Sequence, residues 1–415
     1  MRGRTAGGAV VALMVLSALT GCANEQPPPA AEALRPELVV DPMPDGPIRI
    51  GVLVPPVEGT GSAFRSMVEG VRVAGYRFEL GGAEVEYAVA LDDGTTDGAG
   101  TAMSSLLDSG VVGVVMATQG DHLTQALSVA DDADTAVLLP YSTGDGDGVW
   151  SLAPSARAVV GQVESALAEA EAERPYLVVA EGRTLDLDAA RTGTLADVSA
   201  TAEEIVVALE SREIDSVVID GPAAQQAAMV VALQGGLGSR QLPIVLTPEA
   251  LTPMFGDIVS RNGTTAGWMY SVGTESGDHV AAAESEQGER AAMFFSALRL
   301  AAGDVSCENI YADDVCAVGV PRADVASHDA TVALTRAAEA AGSTDPAEVR
   351  TALSGLVLDH EDGLVGPALD FGRSQALSDE DVVVLHASTS DPGLRPPTPD
   401  GAAAASVFWF VGDSS

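Results

Sequence analysis

The sequence predicts an α/β protein of two lobes, each a doubly wound parallel sheet flanked by helices. Short continuous apolar runs alternate with segments whose apolar residues recur at helical spacing. This series stops at a long helix after Leu139 and restarts at Tyr176, which signals a second lobe. Strand–helix alternation favours a parallel sheet, because each parallel pair needs a crossover to return the chain.

The elements follow in order. Ile48–Val54 is a buried apolar run, and Phe64, Met67, Val68 and Val71 then fall on one helical stripe. The unit repeats as Val85–Leu91 with a helix through Met103 and Leu107, as Val111–Met116 with a helix from Leu123 to Val129, and as Ala136–Leu139. The long helix carries Val160, Val163 and Leu167 on one side. The second series has strands at Tyr176–Ala180, Ser216–Ile219, Ile244–Leu246 and Trp268–Val272, with helices near Glu203–Glu210 and through Met229 and Leu233. Helices over Glu289–Ala302 and His328–Ala341 lead to Asp345, Pro346 and Glu348, which supply a cap, a proline at the first helical position and a capping-box acid. Strands at Val382–His386 and Val407–Val411 close the chain, and the Pro/Gly/Ala-rich stretch Pro392–Ala405 between them reads as an exposed, mobile loop.

Arg2 and Arg4 precede an uncharged stretch, Thr5–Thr20, in the layout of a secretory signal. That stretch is short for a bilayer span. It ends in Leu19-Thr20-Gly21-Cys22, which resembles the lipobox of bacterial lipoproteins, so residues 1–21 are expected to be removed and Cys22 lipidated. An ordinary signal peptide with an incidental cysteine is the alternative. Two or more acyl chains anchor stably. Residues 22–47 then read as the lipidated cysteine and a disordered Pro/Ala/Glu-rich tether with a reach of roughly 30 Å. The expected location is the outer face of the cytoplasmic membrane.

The chain has 415 residues and a formal charge of −39, and all 21 basic residues are arginine. Such acidity argues against nucleic acid and anionic membrane surfaces as partners. Without lysine there is no Walker A lysine, no Schiff base and no Ser-x-x-Lys pair, which removes several enzyme classes. No His-Glu-x-x-His or Gly-x-Ser-x-Gly motif accompanies the five histidines, so the chain reads as a non-enzyme with no cofactor and no metal. Cys307 and Cys316, close in sequence in an exported chain, are expected to form a disulfide, with a metal site as the weaker rival. Gly59-Thr-Gly-Ser-Ala-Phe64 lacks the third glycine of a dinucleotide fingerprint. Asp145 and Asp147 lie in an acidic turn without the rest of a calcium loop. His122 reads as a solvent-facing residue in the first turn of a helix.

Several local sequences, in order, resemble those of the type 1 periplasmic binding proteins of the leucine/isoleucine/valine-binding family. They are Ile48-Arg-Ile-Gly-Val-Leu-Val-Pro55, Leu91-Asp-Asp-Gly94, Leu106-Leu-Asp-Ser-Gly-Val-Val-Gly-Val-Val115, Ala341-Gly-Ser-Thr-Asp-Pro346 and Gly363-Leu-Val-Gly-Pro-Ala-Leu-Asp-Phe371. The resemblance implies two lobes joined by three crossovers and closing on a small ligand. It implies a first lobe of 48–155 with 277–358 and a second of 156–276 with 359–415. It also implies a monomeric solute receptor for an ABC importer, with permease subunits as partners and an amino acid or similar polar metabolite as ligand.

In that family the ligand's carboxylate and ammonium are gripped by the loop after the third strand and a turn after the fourth. Those positions are Thr118, Gln119, Gly120 and Asp121, and Tyr141, Ser142 and Thr143. Backbone N–H groups and hydroxyls at strand ends and helix starts suit a carboxylate, and an acid suits an ammonium. Glu249 matches the acidic contact of the second lobe, and Phe64 the aromatic wall. A plain turn or N-cap serves Ser142 and Thr143 as well, an exposed loop acid Glu249, and a core position Phe64.

Two departures stand out. Glu181–Ala200 is too short for the helix and strand expected there, and Pro222 stands where a stacking aromatic is common. A pared second lobe admits another reading, a degenerate binding fold acting as a cell-surface sensor or protein-interaction lipoprotein without transport.

Overall fold

A computed structural model describes residues 35–59, 61–264, 268–275, 278–399 and 407–412. The signal segment and Cys22 lie outside the described residues. The first sheet contains β1 (Ile48–Val54), β2 (Val85–Leu91), β3 (Gly113–Met116), β4 (Val137–Leu139) and β5 (Val149–Ser151) in the order β2-β1-β3-β4-β5, all parallel. The period of two along β1 divides its side chains between two cores. Ile48, Ile50, Val52 and Val54 join one cluster and Leu53 the other. On the first side lie α1 (Glu69–Leu80) and, later in the chain, a long helix from Val325; on the second lie α2 (Thr96–Asp108) and α3 (Thr124–Asp132).

The second sheet follows α4 (Ala156–Glu169). Its strands are β6 (Pro175–Val179), β7 (Arg191–Thr194), β8 (Ser216–Asp220), β9 (Ile244–Leu246) and β10 (Met269–Thr274), with α5 (Val198–Glu210), α6 (Ala223–Leu237) and α7 (Pro253–Asn262) between them. Then come α8 (Glu286–Gly303), α9 (Cys316–Gly319), α10 (Val325–Ala341) and α11 (Pro346–Leu353), which return to the first lobe. A two-stranded hairpin, β11 (Val357–Leu358) and β12 (Leu369–Asp370), precedes β13 (Val382–Ser388) and β14 (Phe408–Phe410). The second sheet runs β14-β13-β10-β9-β8-β6-β7, parallel from β10 to β7 and antiparallel at β13 and β14.

Several expectations change. The stripe from Phe64 is not one helix: Ser62–Phe64 is a single 3-10 turn, and α1 starts at Glu69. Glu181–Ala200 does contain a strand, β7, while the helix is absent. The extended chain before β7 covers the sheet with Leu185, Leu187 and Ala189 instead. Residues 36–41 are not a free tether: Leu38 and Val40 enter the first core, Arg77 donates to the Pro36 carbonyl, and Arg336 to that of Val39. Nor is Pro392–Pro399 loose, since Arg395 is fixed by Asp278 and by the carbonyls of Pro321 and Ala323.

The chain passes between the sheets three times, after β5, after β10 and before β13. Leu364, Leu369, Phe371, Ala376 and Leu377 all pack with the first core, so the last passage falls at Ser378–Asp381 rather than at 359. The first and last passages are stitched together. Ser151 N–H donates to Ser374, Ala376 N–H donates back to Ser151, and Ser155 Oγ donates to Asp379 at 2.6 Å. Cys307 and Cys316 form the expected disulfide.

Candidate functional site

The loops at the carboxyl ends of the strands meet between the sheets, where open α/β folds bind ligands. Two regions with different chemistry lie there.

The first is polar. Thr118 is fully buried, and its hydroxyl donates to Asp92 Oδ2 at 3.0 Å. His122 Nε2 meets the same oxygen at 2.7 Å and Gly94 N–H donates to Oδ1, so the buried Asp92 carboxylate has three partners. His122 is therefore half-buried and paired, not solvent-facing. Gly61, at φ +80, packs against Thr118, whose Oγ1 would stand 2.6 Å from an added Cβ; glycine alone suits both that φ and that approach.

Across from this group, Glu249 projects from the 3-10 turn Pro248–Leu251 and is largely buried. Gln119 Nε2 donates to its Oε1 at 2.9 Å, which joins the two lobes directly. Arg183 pairs with the same oxygen and lies 3.5 Å from Asp220. The other oxygen accepts Ala223 N–H at the start of α6, a favourable place for an anion. Pro222 is the residue before that start.

The second region is a cavity of about 230 Å³. Phe64, Met67 and Tyr141 border it from the first lobe, and Leu251, Leu385, Phe408 and Trp409 from the second. Phe64 and Tyr141 stack in parallel with centroids 4.4 Å apart. Tyr141 donates to Asp324 Oδ1 at 3.0 Å, and that carboxylate caps α10 by accepting from Ser327 N–H and Oγ. Burial pushes the Asp324 carboxyl up to about 6 and the Tyr141 hydroxyl well above its ordinary value. Asp278 is paired with Arg395 at 2.8 Å. Arg322 also borders the cavity; its Nη2 is 3.5 Å from Asp257, and its Nε is buried with no acceptor among the described residues.

Of the expected site residues, Phe64, Tyr141 and Glu249 therefore border the cavity. Gln119 touches Glu249 without bordering it, and Thr118, Gly120, Asp121, Ser142 and Thr143 stand outside the wall. Arg183, Arg322, Asp324, Arg395 and Trp409 were missed. Only Asp324 had a local signal, as an Asp shortly before a helical stripe. Among the described residues no cluster of three metal-ligating side chains occurs, and no helix is long and apolar enough to cross a membrane.

No protein-family model and no curated protein matches the sequence. Solved structures do. The leucine-binding protein LivK of Thermotoga maritima superposes with a TM-score of 0.58 at 18% identity, over 82% of this chain and 95% of that one. The fold is that of the type 1 periplasmic binding proteins. A solute-binding protein of an ABC transporter from Rhodopseudomonas palustris, in complex with benzoate, aligns over 89% of this chain and 99% of that one at 13% identity, with a TM-score of 0.58. A fatty acid ABC transporter substrate-binding protein from Thermomonospora curvata aligns over 91% and 95% at 14% identity, with a TM-score of 0.59. Within this periplasmic binding protein fold, both regions lie in the interlobe space.

Proposed function

We propose that the chain is the extracytoplasmic solute receptor of an ABC importer, tethered by lipid on Cys22, and that it holds one small molecule between its lobes as a monomer. The observation that carries this reading is a cavity walled by aromatic and aliphatic side chains of both lobes, since a ligand touching both favours their closed arrangement. The fold supports importer subunits as partners, and the Leu-Thr-Gly-Cys sequence supports the anchor. A ligand at one hundred times its Kd stabilises the folded state by about 2.7 kcal/mol, so a thermal-shift screen of broad metabolite classes tests the reading. At least one class should raise Tm; a screen silent across all classes removes the receptor role. Labelled fatty acid should enter the wild-type chain and not Cys22→Ala.

An amino acid, the ligand the sequence suggests, fits less well than one without an ammonium, because Glu249 is already met by Arg183 and Gln119. The same contacts favour a second reading, a surface sensor or protein-binding lipoprotein whose lobes are held together by their own side chains. A silent ligand screen combined with failure to bind any permease would favour it.

A further inference from the structure

We infer that the cavity selects a compact apolar monocarboxylate, with Arg322 as the partner of its carboxylate and Arg183 filling the role that a ligand ammonium would otherwise play. The inference rests on the receptor reading and adds the class of ligand.

Size is the first argument. An apolar cavity of about 150 Å³ holds benzene, so by simple scaling about 230 Å³ holds roughly nine non-hydrogen atoms. Lining is the second: the Phe64–Tyr141 stack on one side and Leu251, Leu385, Phe408 and Trp409 on the other offer apolar surface to such a body. Charge is the third. Each carboxylate on the wall already has a cation or donors: Glu249 has Arg183, Asp278 has Arg395, and Asp324 has Tyr141 and Ser327. A ligand ammonium would have to displace one of them. Arg322 is different, because among the described residues its ion pair, to Asp257, is long at 3.5 Å, and its side chain keeps about a third of its surface exposed. A guanidinium is geometrically matched to a carboxylate.

The test is calorimetric titration of the soluble chain with benzoate and hexanoate, with benzamide and hexanamide as uncharged matches, and with phenylalanine and leucine as zwitterions. The acids should bind, with the amides and amino acids at least tenfold weaker. Arg322→Gln should weaken the acids by about tenfold to a hundredfold and leave the amides unchanged. Arg183→Met should improve amino-acid binding relative to the acids by freeing Glu249. Amides binding as tightly as acids, amino acids binding best, or acid affinity unchanged in Arg322→Gln would each overturn the inference while leaving the receptor reading intact. The acid-to-amide ratio in the unmodified chain needs no variant, so misfolding of Arg322→Gln does not block the decision. A panel that fails entirely overturns the inference, and the broad metabolite screen then decides the receptor reading separately.

Discussion

The two halves of the interlobe space handle polarity in opposite ways. At one end Asp92, Thr118, His122, Gln119, Glu249 and Arg183 satisfy each other, whereas at the other a largely apolar cavity is bordered by Arg322, whose ion pair among the described residues is long. Burying polar groups is costly unless they are paired. A region that pairs all of them tightly gains stability and rigidity but offers little to a solute; a region that leaves one cation loosely paired beside an apolar wall is poised to bind. The comparison separates holding the lobes from recognising a ligand.

The largest expected effect sharpens the holding half. Asp92→Ala strands the buried Thr118 hydroxyl and removes the acceptor of half-buried His122 and of Gly94 N–H, and should destabilise the chain by about 3 to 5 kcal/mol in urea unfolding. A loss under 1 kcal/mol would mean that the polar end is not what fixes the first-lobe loops.

The next concerns Glu69, at the start of α1, which shares a second hollow of about 400 Å³ with Arg322. Burial pushes its carboxyl up to about 7, although it accepts Ile310 N–H at 3.2 Å. The folded chain thus keeps a proton that the unfolded chain sheds near 4.5. Stability from this group is complete below that pH, falls by about 3 kcal/mol as pH rises to 7, and is level above. Glu69→Gln should remove that slope; wild type and variant with parallel pH–stability curves would contradict the assignment.

Removing the cross-link with Cys307→Ser and Cys316→Ser should cost about 2 to 3 kcal/mol for a nine-residue separation. Because the bridged loop leads into Arg322, ligand affinity should fall as well. A variant that loses stability but binds normally would uncouple the loop from the cavity. The smallest effect belongs to Thr143, exposed and off the cavity wall. Thr143→Ala should leave affinity within about twofold, a small effect for a surface change; a tenfold loss would move the site toward the polar end.

Legibility in the sequence followed the range of the interactions. Ile48–Val54 and Ile244–Leu246 were readable to the residue because a buried parallel strand is a largely apolar run. Val149–Ser151 was not, being three residues after a glycine-rich turn. The docked segment around Leu38 was hidden by its prolines, and the helix start at Glu69 by a buried acid where an exposed one is usual. The site was legible only where one residue type suffices, as with Phe64, Tyr141 and Glu249. What closes the polar end depends on pairs separated by 130 residues, Gln119 with Glu249, and by 66, Arg183 with Glu249, which no local pattern records.

Fluorescence of Trp409 tests the central claim most directly, because that ring borders the cavity while Trp150 is buried elsewhere in the first core and Trp268 is exposed. In a Trp150→Phe, Trp268→Phe chain, titration with an apolar carboxylate that raises Tm should shift Trp409 emission and saturate at one ligand per chain. A ligand that raises Tm while Trp409 emission stays constant through saturation would place the binding site outside this cavity and contradict the account.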